Sequence, residues 1–120
     1  MRKKWYIPDM YWPSDTNGPC YVSHESICAL NTSSKDCWIR ITLYYEDKDP
    51  VKLGKYCCKA NRTLHIRMDE AKSRKGEPIA TGVPYAAVVL CDNDKTVIQY
   101  TRVDTSQPAL ALMTTMAHRI

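Results

Sequence analysis

Alternation of apolar and polar residues is the main pattern along this chain, and it predicts β-strands. The clearest run is Cys37–Tyr45, in which two isoleucines and a leucine alternate with polar or aromatic neighbours. A period of two residues with β-branched and aromatic side chains is typical of a half-buried strand. Residues 63–68 alternate in the same way. The run Tyr85–Cys91 is apolar throughout, which indicates a central strand.

Further strands are predicted where turn-forming residues separate the apolar runs. Residues 92–95 (Asp-Asn-Asp-Lys) form a hairpin-like turn that leads into a strand over 96–102, and shorter strands are predicted at 26–30 and 55–60. Short strands separated by turns, with almost no helical pattern, are typical of an all-β fold. We therefore expect an antiparallel β-sandwich or barrel with a two-layer core.

Three segments do not fit that alternation. Residues 8–19 contain three prolines, and residues 69–84 are polar with two glycines and two prolines. A long segment without regular structure is usually functional or mobile. Residues 107–120 fit two patterns equally: a short C-terminal helix after Pro108, or a strand in which alternate residues from Leu110 share a face.

The composition is typical of a globular protein: of the 120 residues, 44% are hydrophobic and 25% are charged. That length is typical of one domain, which we place at residues 1–120. No apolar run is long enough for a transmembrane helix, and the basic N-terminus is not followed by the apolar stretch of a signal peptide. We therefore expect a cytoplasmic protein.

The net charge of +4 is concentrated in one part of the sequence. Residues 55–75 contain seven basic and two acidic residues, a net +5, which leaves −1 for the remainder. Such a segment can bind phosphate backbones or anionic surfaces, although no DNA-reading motif accompanies it. The alternative is a solvated loop and strand.

The six cysteines are expected to be reduced core residues. We expect no signal peptide, the chain is long enough to bury a core without disulfides, and free cysteine behaves as a small apolar side chain. There is no C-x-x-C pair, and adjacent Cys57 and Cys58 would point to opposite faces of a strand. We predict neither a disulfide framework nor a metal site.

Three polar clusters could carry chemistry. Ser23-His24-Glu25 has the residue types of a catalytic triad, but neighbours on a strand point to opposite faces and no G-x-S-x-G motif occurs. Either these residues form a polar strand entry, or His24 or Glu25 contacts a ligand.

The second cluster lies on one face of a predicted strand. Thr63, His65 and Arg67 could present a hydroxyl, an imidazole and a guanidinium to a polyhydroxylated or anionic ligand, or form a solvated outer face. The third cluster is 99–102 with Asp104. There, Arg102 and Asp104 could pair with each other or flank a pocket.

These clusters, in their order and spacing, resemble the sensory rhodopsin transducer family over nearly the whole chain. The positions that carry the resemblance are Trp5, Gly18-Pro19, Ser23-His24-Glu25, the Cys28-Ala29-Leu30-Asn31 run, Tyr44-Tyr45, Asp47, Pro50, Arg62-Thr63, His65, Arg67, Gln99, Thr101-Arg102, Asp104, Gln107 and the 112–117 segment. Tyr100 stands where the better-known member has a second histidine.

The resemblance implies a β-sandwich that assembles into a planar homotetramer, with a mobile loop at 69–84 and a C-terminal segment able to be helical. It also implies two functions. The founding member acts on the cytoplasmic side of a membrane photoreceptor and has been linked to DNA binding. The wider family has been proposed to bind small molecules, sugars among them.

The leading hypothesis is thus a non-enzymatic module for small-molecule, carbohydrate-like binding and signal transduction. The residues that match the family would line its polar site: Trp5, His24, Glu25, Arg62, Thr63, His65, Gln99, Thr101 and Arg102. We expect no catalytic residues and no cofactor. The alternatives are an adaptor for a membrane receptor and salt-dependent nucleic-acid binding through residues 55–75.

Overall fold

The computed structural model describes residues 3–15 and 22–120, and these fold into two antiparallel β-sheets. No helix occurs within those two ranges, as predicted for an all-β fold. The strands are β1 (Lys3–Met10), β2 (His24–Asn31), β3 (Cys37–Tyr45), β4 (Val51–Cys58), β5 (Arg62–Arg67), β6 (Tyr85–Cys91), β7 (Thr96–Asp104), β8 (Ala111–Met116) and β9 (His118–Arg119).

The two sheets form an open sandwich. The five-stranded sheet has the order β4-β3-β6-β1-β9, and the four-stranded sheet has the order β5-β2-β7-β8. Because side chains alternate across each strand, every strand in the middle of a sheet has one face toward the facing sheet and one toward solvent. The apolar inward faces of β1, β3, β6 and β7 supply most of the core.

Most predicted strands are confirmed. β3 and β6 have the predicted bounds, and β6 lies between two neighbours as a central strand should. Strand β7 continues past residue 102 to Asp104, β5 begins one residue early, and β2 extends the short prediction at 26–30 on both sides. The predicted strand at 55–60 is displaced: β4 ends at Cys58, and residues 60–61 form the turn into β5.

Strand β1 was not predicted, because its pairing is irregular. Trp5, Ile7 and Met10 all point inward, so the apolar spacing changes from two residues to three. The register against β6 shifts between Ile7 and Met10, which marks a β-bulge next to Pro8. Of the segment at 8–19, only residues 11–15 are irregular and described; residues 16–19 lie outside the described ranges.

The C-terminal segment is extended, so the helical alternative is wrong and the strand alternative is right. β8 pairs with β7 over six residues, and all six of its residues are exposed. Backbone pairing with β7 therefore stabilises this conformation more than burial of an apolar face does. Ala117 follows β8, is buried, and donates its N–H to the carbonyl of Ile98 at 3.1 Å.

Residues 69–84 contain no named strand, as predicted, but they are tied to the sandwich by backbone hydrogen bonds. Arg74 N–H donates to the Lys52 carbonyl at 3.0 Å, beside an isolated bridge between Leu53 and Ser73. Gly82, at φ 72°, donates to the Trp12 carbonyl at 2.9 Å. The segment thus lies along the β4 edge, and its mobility stays a prediction.

The prediction of core thiols holds for three cysteines and is wrong for two. The five described cysteines are free; Cys37, Cys58 and Cys91 are buried, whereas Cys28 and Cys57 are partly exposed because they face outward from their strands. Cys57 is partly exposed while its neighbour Cys58 is buried, as expected for opposite faces of a strand. Cys20 lies outside the described residues.

The described residues include no helix with the length and hydropathy needed to cross a lipid bilayer.

Candidate functional site

The nine predicted site residues separate into groups according to which way their strand directs them. His24, Thr63, His65, Gln99 and Thr101 lie on the outer face of the four-stranded sheet. Glu25 and Arg102 point inward from the same sheet, toward the core. Trp5 belongs to the other sheet, and Arg62 lies at the start of β5.

The outer polar face, as we call it, is assembled by strand register. Arg67, Ser26, Thr101 and Thr114 are aligned across β5, β2, β7 and β8, and the next row is His65, Cys28, Gln99 and Met116. Thr63 and His24 lie on the same face at its two ends. The polar members that give this face its name are His24, Ser26, Thr63, His65, Arg67, Gln99, Thr101 and Thr114. Apolar residues lie between and beside them, namely Cys28, Leu30, Val97 and Met116.

Several of these side chains already have partners within the chain. Arg67 forms a bidentate ion pair with Asp69, at 2.9 and 2.7 Å, and this hydrogen-bonded carboxylate raises the pKa of Arg67. The hydroxyls of Thr101 and Thr114 are 3.1 Å apart. Thr63 donates its hydroxyl to the Ala29 carbonyl at 3.1 Å. These contacts fix side-chain positions and leave fewer groups for a ligand.

Among the polar side chains of this face, His65, Gln99 and Ser26 remain available. His65 and Gln99 are exposed and Ser26 is half-buried, and none of the three side chains forms a hydrogen bond or an ion pair with any residue that the structure describes. His65 and Gln99 lie on either side of Cys28, which both residues face across the register. Partial burial raises the pKa of the Cys28 thiol, which favours its neutral form.

The second group surrounds Glu25, whose side chain is fully buried. Tyr85 of the facing sheet donates its hydroxyl to Glu25 Oε1 at 2.6 Å, and the Tyr11 N–H donates to Oε2 at 2.8 Å. The Tyr100 hydroxyl and the Arg102 Nε–H also donate to Oε2, the latter at 3.2 Å. This Glu25 cluster joins the two sheets near one end of the sandwich.

Opposing effects act on the Glu25 carboxyl. Burial raises its pKa above the ordinary value, and the donors from Tyr85, Tyr11 and Arg102 offset only part of that increase. Burial and the adjacent carboxylate also raise the pKa of the Tyr85 phenol. The cluster therefore combines a carboxyl that is costly to ionise with a Tyr85 phenol that stays protonated.

Arg102 pairs with Glu25 rather than with Asp104. Its Nε also lies 3.0 Å from the Tyr100 hydroxyl, while its Nη2 is buried and has no hydrogen-bond partner in the described chain. Nη2 lies 3.8 Å from a carboxylate oxygen of exposed Asp9. Asp104 instead accepts hydrogen bonds from the Ser106 hydroxyl and N–H, which lower the Asp104 pKa.

Trp5 and Arg62 lie apart from these groups. Trp5 is 7% exposed in the core, and its buried Nε1–H has no partner among the described residues. Arg62 is exposed and donates from Nη1 to the Asn61 carbonyl at 3.0 Å.

The tyrosines around Glu25 were missed by the sequence analysis. The available signal was the unusual aromatic composition, eight tyrosines and no phenylalanine. A buried tyrosine, unlike a phenylalanine, needs a hydrogen-bond partner for its hydroxyl. Of the tyrosines that the structure describes, Tyr85 and Tyr100 are buried, and Glu25 is the acceptor of both.

Ser23, His24 and Glu25 do not form a catalytic triad. The Ser23 hydroxyl interacts with Thr105, accepting its N–H at 2.9 Å, and His24 Nδ1 lies 2.9 Å from the Val22 carbonyl. Glu25 points to the opposite side of β2 from His24, as strand alternation requires. Among the described residues there is no group of three metal-ligating side chains close enough to hold an ion.

The basic segment at 55–75 is divided between the two sheets, since Lys55 lies on the outer face of the five-stranded sheet and Arg67 on that of the four-stranded sheet. Two of its cations are paired: Arg67 with Asp69, and Lys59 with Asp36 at 3.7 Å. The outer face of the five-stranded sheet gathers cations from both inside and outside this segment, including Lys4, Arg40, Lys52 and Arg74.

Architecture and site together define a small antiparallel β-sandwich with a polar outer sheet face and a buried carboxylate between its sheets. The chain belongs to the Anabaena sensory rhodopsin transducer family, whose model matches residues 1–119. The family is named for a protein that transduces the signal of a sensory rhodopsin.

Solved structures support the same assignment. The protein in the crystal structure of Thermotoga maritima 1070 has 34% sequence identity to this chain. The match has a TM-score of 0.83 and covers 97% of this chain and 92% of that chain. The Anabaena sensory rhodopsin transducer is 36% identical, with a TM-score of 0.72 over 84% of this chain and 87% of that chain. A comparison with curated proteins found no match.

Proposed function

We propose that this chain is a single cytoplasmic β-sandwich domain that binds a small, carbohydrate-like molecule and passes on a signal without catalysis. The observation that carries the proposal is the outer polar face, where His65 and Gln99 are exposed and unpartnered next to Ser26 and Thr101. Imidazole, amide and hydroxyl groups each donate and accept hydrogen bonds, which matches the hydroxyl groups of a sugar.

The Glu25 cluster supports a route for the signal. Thr101 and Arg102 are consecutive on β7 and point to opposite faces, as do His24 and Glu25 on β2. Glu25 and Arg102 are also register partners, so the two strands are joined on the inner face as well as by their backbones. A ligand that moves Thr101 on the outside would therefore move Arg102 against the facing sheet.

Self-association into a homotetramer is part of this proposal, and the edge strand β8 supports it. Leu112, Met113 and Met116 are all exposed on a strand whose outer backbone edge is open. An exposed apolar edge strand is a surface that proteins usually cover. Light scattering should show a tetramer that Leu112→Lys weakens, and a monomeric wild-type protein would contradict this part of the proposal.

The ligand is tested by thermal shift with a panel of sugars and sugar acids. A ligand present at 100 times its dissociation constant should stabilise the protein by about 2.7 kcal/mol, which corresponds to a Tm increase of about 10 °C. Gln99→Ala and Thr101→Val should remove the shift. The matched control is Thr42→Val, an outward threonine of the other sheet, which should retain it.

Two results would overturn the proposal. One is the absence of any shift across the panel. The other is a true shift that survives Gln99→Ala, Thr101→Val and His65→Ala, because binding would then take place elsewhere.

A second candidate is an adaptor for a membrane receptor, and family membership supports it, since a relative bears the name of a sensory rhodopsin transducer. Gene neighbourhood discriminates between the two candidates. A rhodopsin gene beside this one would favour the adaptor, whereas genes of carbohydrate metabolism would favour the sugar-binding module.

A further inference from the structure

A groove runs along the outer face of the five-stranded sheet, on the opposite side of the sandwich from the outer polar face. Its floor is β6, whose outward residues are Ala86, Val88 and Leu90. The flanking strands β3 and β1 carry larger outward side chains, with Tyr44 beside Ala86 and Tyr6 beside Val88. Small residues on a central strand between larger ones make a depression along that strand.

Two adjoining cavities occupy this groove, of about 620 and 490 Å³, and both are lined by Lys4, Tyr44 and Val88. The first is apolar, with Tyr6, Pro8, Ala86 and Ile120 in its lining. The second is cationic, and its lining includes Arg40, Lys52 and Arg74. The groove thus has an apolar half and a positively charged half.

The cations of the groove are not neutralised within the protein. Lys4, Arg40, Lys52 and Arg74 have no carboxylate within 4 Å among the residues that the structure describes, and no acidic residue lines either cavity. Elsewhere in the same sequence region, Arg67 and Lys59 do have acidic partners. Four unpaired cations beside an apolar floor therefore favour an occupant that is both anionic and apolar.

A second copy of this chain fits the groove poorly. In a two-fold contact the same surface meets itself, so the four cations would face four identical cations. Like charges across an interface oppose association. The apolar floor residues are only half-buried, so further burial of them is favourable. A small molecule can bury them without the repulsion between like charges that a second copy would bring.

We propose that this groove binds a small organic anion: an aromatic or short aliphatic group that carries a carboxylate, sulfonate or phosphate. The apolar part lies on Ala86 and Val88 between Tyr6 and Tyr44. The anionic group is bound by Arg40 and Lys52, with Lys4 between the two halves. This site is on the sheet opposite to the outer polar face, so the two can succeed or fail independently.

Two fluorescent probes with nearly the same ring system separate the charged from the apolar contribution. 8-Anilinonaphthalene-1-sulfonate carries the anion, and N-phenyl-1-naphthylamine lacks it. The anionic probe should saturate one site per chain and bind about tenfold more tightly than the neutral probe at low salt. Phenyl phosphate and benzoate should displace it, and sucrose should not.

Variants assign the binding to the groove. Arg40→Gln with Lys52→Gln should weaken binding of the anionic probe about tenfold and leave the neutral probe unchanged. The matched control, Lys35→Gln with Lys95→Gln, removes the same charge from exposed turns outside the groove and should change either affinity less than twofold. Ala86→Phe should fill the floor and abolish binding of both probes, and its melting curve confirms that it folds.

Several results would overturn the proposal. Non-saturating fluorescence would mean adventitious dye adsorption only. Equal losses in the groove and control variants would mean a general charge effect, and full binding to a folded Ala86→Phe protein would place the probe elsewhere. Displacement by oligonucleotides alone, falling steeply between 50 and 200 mM salt, would assign the cations to a phosphate backbone instead.

Discussion

Replacing Glu25 with alanine should be among the most destabilising single changes in this protein. The substitution removes the shared acceptor of four donors: the Tyr11 N–H, the Tyr85 and Tyr100 hydroxyls, and the Arg102 Nε–H, of which only the last keeps another partner, the Tyr100 hydroxyl at 3.0 Å. Removing one partner of a buried ion pair typically costs about 3–5 kcal/mol, a range that already includes the groups left unpaired. We expect a total of about 3–5 kcal/mol.

For a chain of this length that loss corresponds to a Tm decrease of about 12–20 °C. Urea denaturation and thermal melting would measure it, with the chain concentration held fixed, since any self-association would make stability concentration-dependent. Ser26→Ala is the matched control, since Ser26 is the next residue on β2 and points outward. It should change stability by less than about 0.5 kcal/mol. A loss below about 1 kcal/mol for Glu25→Ala would refute the argument that these four donors depend on it.

The pH dependence of the same carboxyl supplies a second readout. Burial raises the Glu25 pKa in the folded protein, so the folded state holds this proton to a higher pH than the unfolded state does. The contribution of Glu25 to stability is therefore largest below the unfolded pKa and declines as pH rises toward the folded pKa. The wild-type free energy of unfolding minus that of Glu25→Gln should fall across this interval, and a rise would contradict the direction of the shift.

Three further predictions concern features away from Glu25. Asn31→Ala should cost about 3 kcal/mol by urea denaturation, because the buried Asn31 amide nitrogen is shared among the carbonyls of Lys35, Cys58 and Lys59, and its oxygen accepts from the Ser33 N–H and the Asn93 amide; a loss below 1 kcal/mol would count against this. Hydrogen bonds from Ser106 lower the Asp104 pKa, so the ionised Asp104 should stabilise the wild type at neutral pH. Asp104→Asn should therefore be less stable than the wild type at neutral pH, and this difference should shrink as pH falls below about 4; a difference that does not change with pH would exclude that role. Gly82→Ala should lower the free energy of unfolding by about 1 kcal/mol. A Cβ at this position meets no atom within 4 Å, so the loss comes from the φ of 72° alone, and an unchanged stability would mean that the turn relaxes freely.

Sequence patterning predicted the strands whose inward positions follow a strict period of two, such as β3 and β7. It did not predict β1, where a bulge beside Pro8 breaks the period. It also left the C-terminal segment undecided, because all six residues of β8 are exposed and no apolar face distinguishes a strand from a helix. Pattern analysis works where burial selects the side chains and fails where backbone pairing alone determines the structure.

The candidate site shows the same division. The sequence placed Thr63, His65 and Arg67 on one strand face, because that follows from local alternation. It could not place Gln99 level with His65, since their alignment depends on the register of β5 and β7 against β2. Nor could it show that Glu25 is buried while His24 is not. That outcome depends on Tyr85, sixty residues away, presenting its hydroxyl from the facing sheet.

Strand β2 carries a fully buried polar side chain near each end, Glu25 at one and Asn31 at the other. A slip of two residues is the smallest that keeps Ile27 and Ala29 facing inward, and it would move both polar groups about 7 Å from their partners. Apolar packing alone tolerates such a slip, whereas two separate hydrogen-bonded networks do not. The two buried polar groups therefore select a single alignment of the strands, and that alignment in turn determines which side chains meet on the outer polar face.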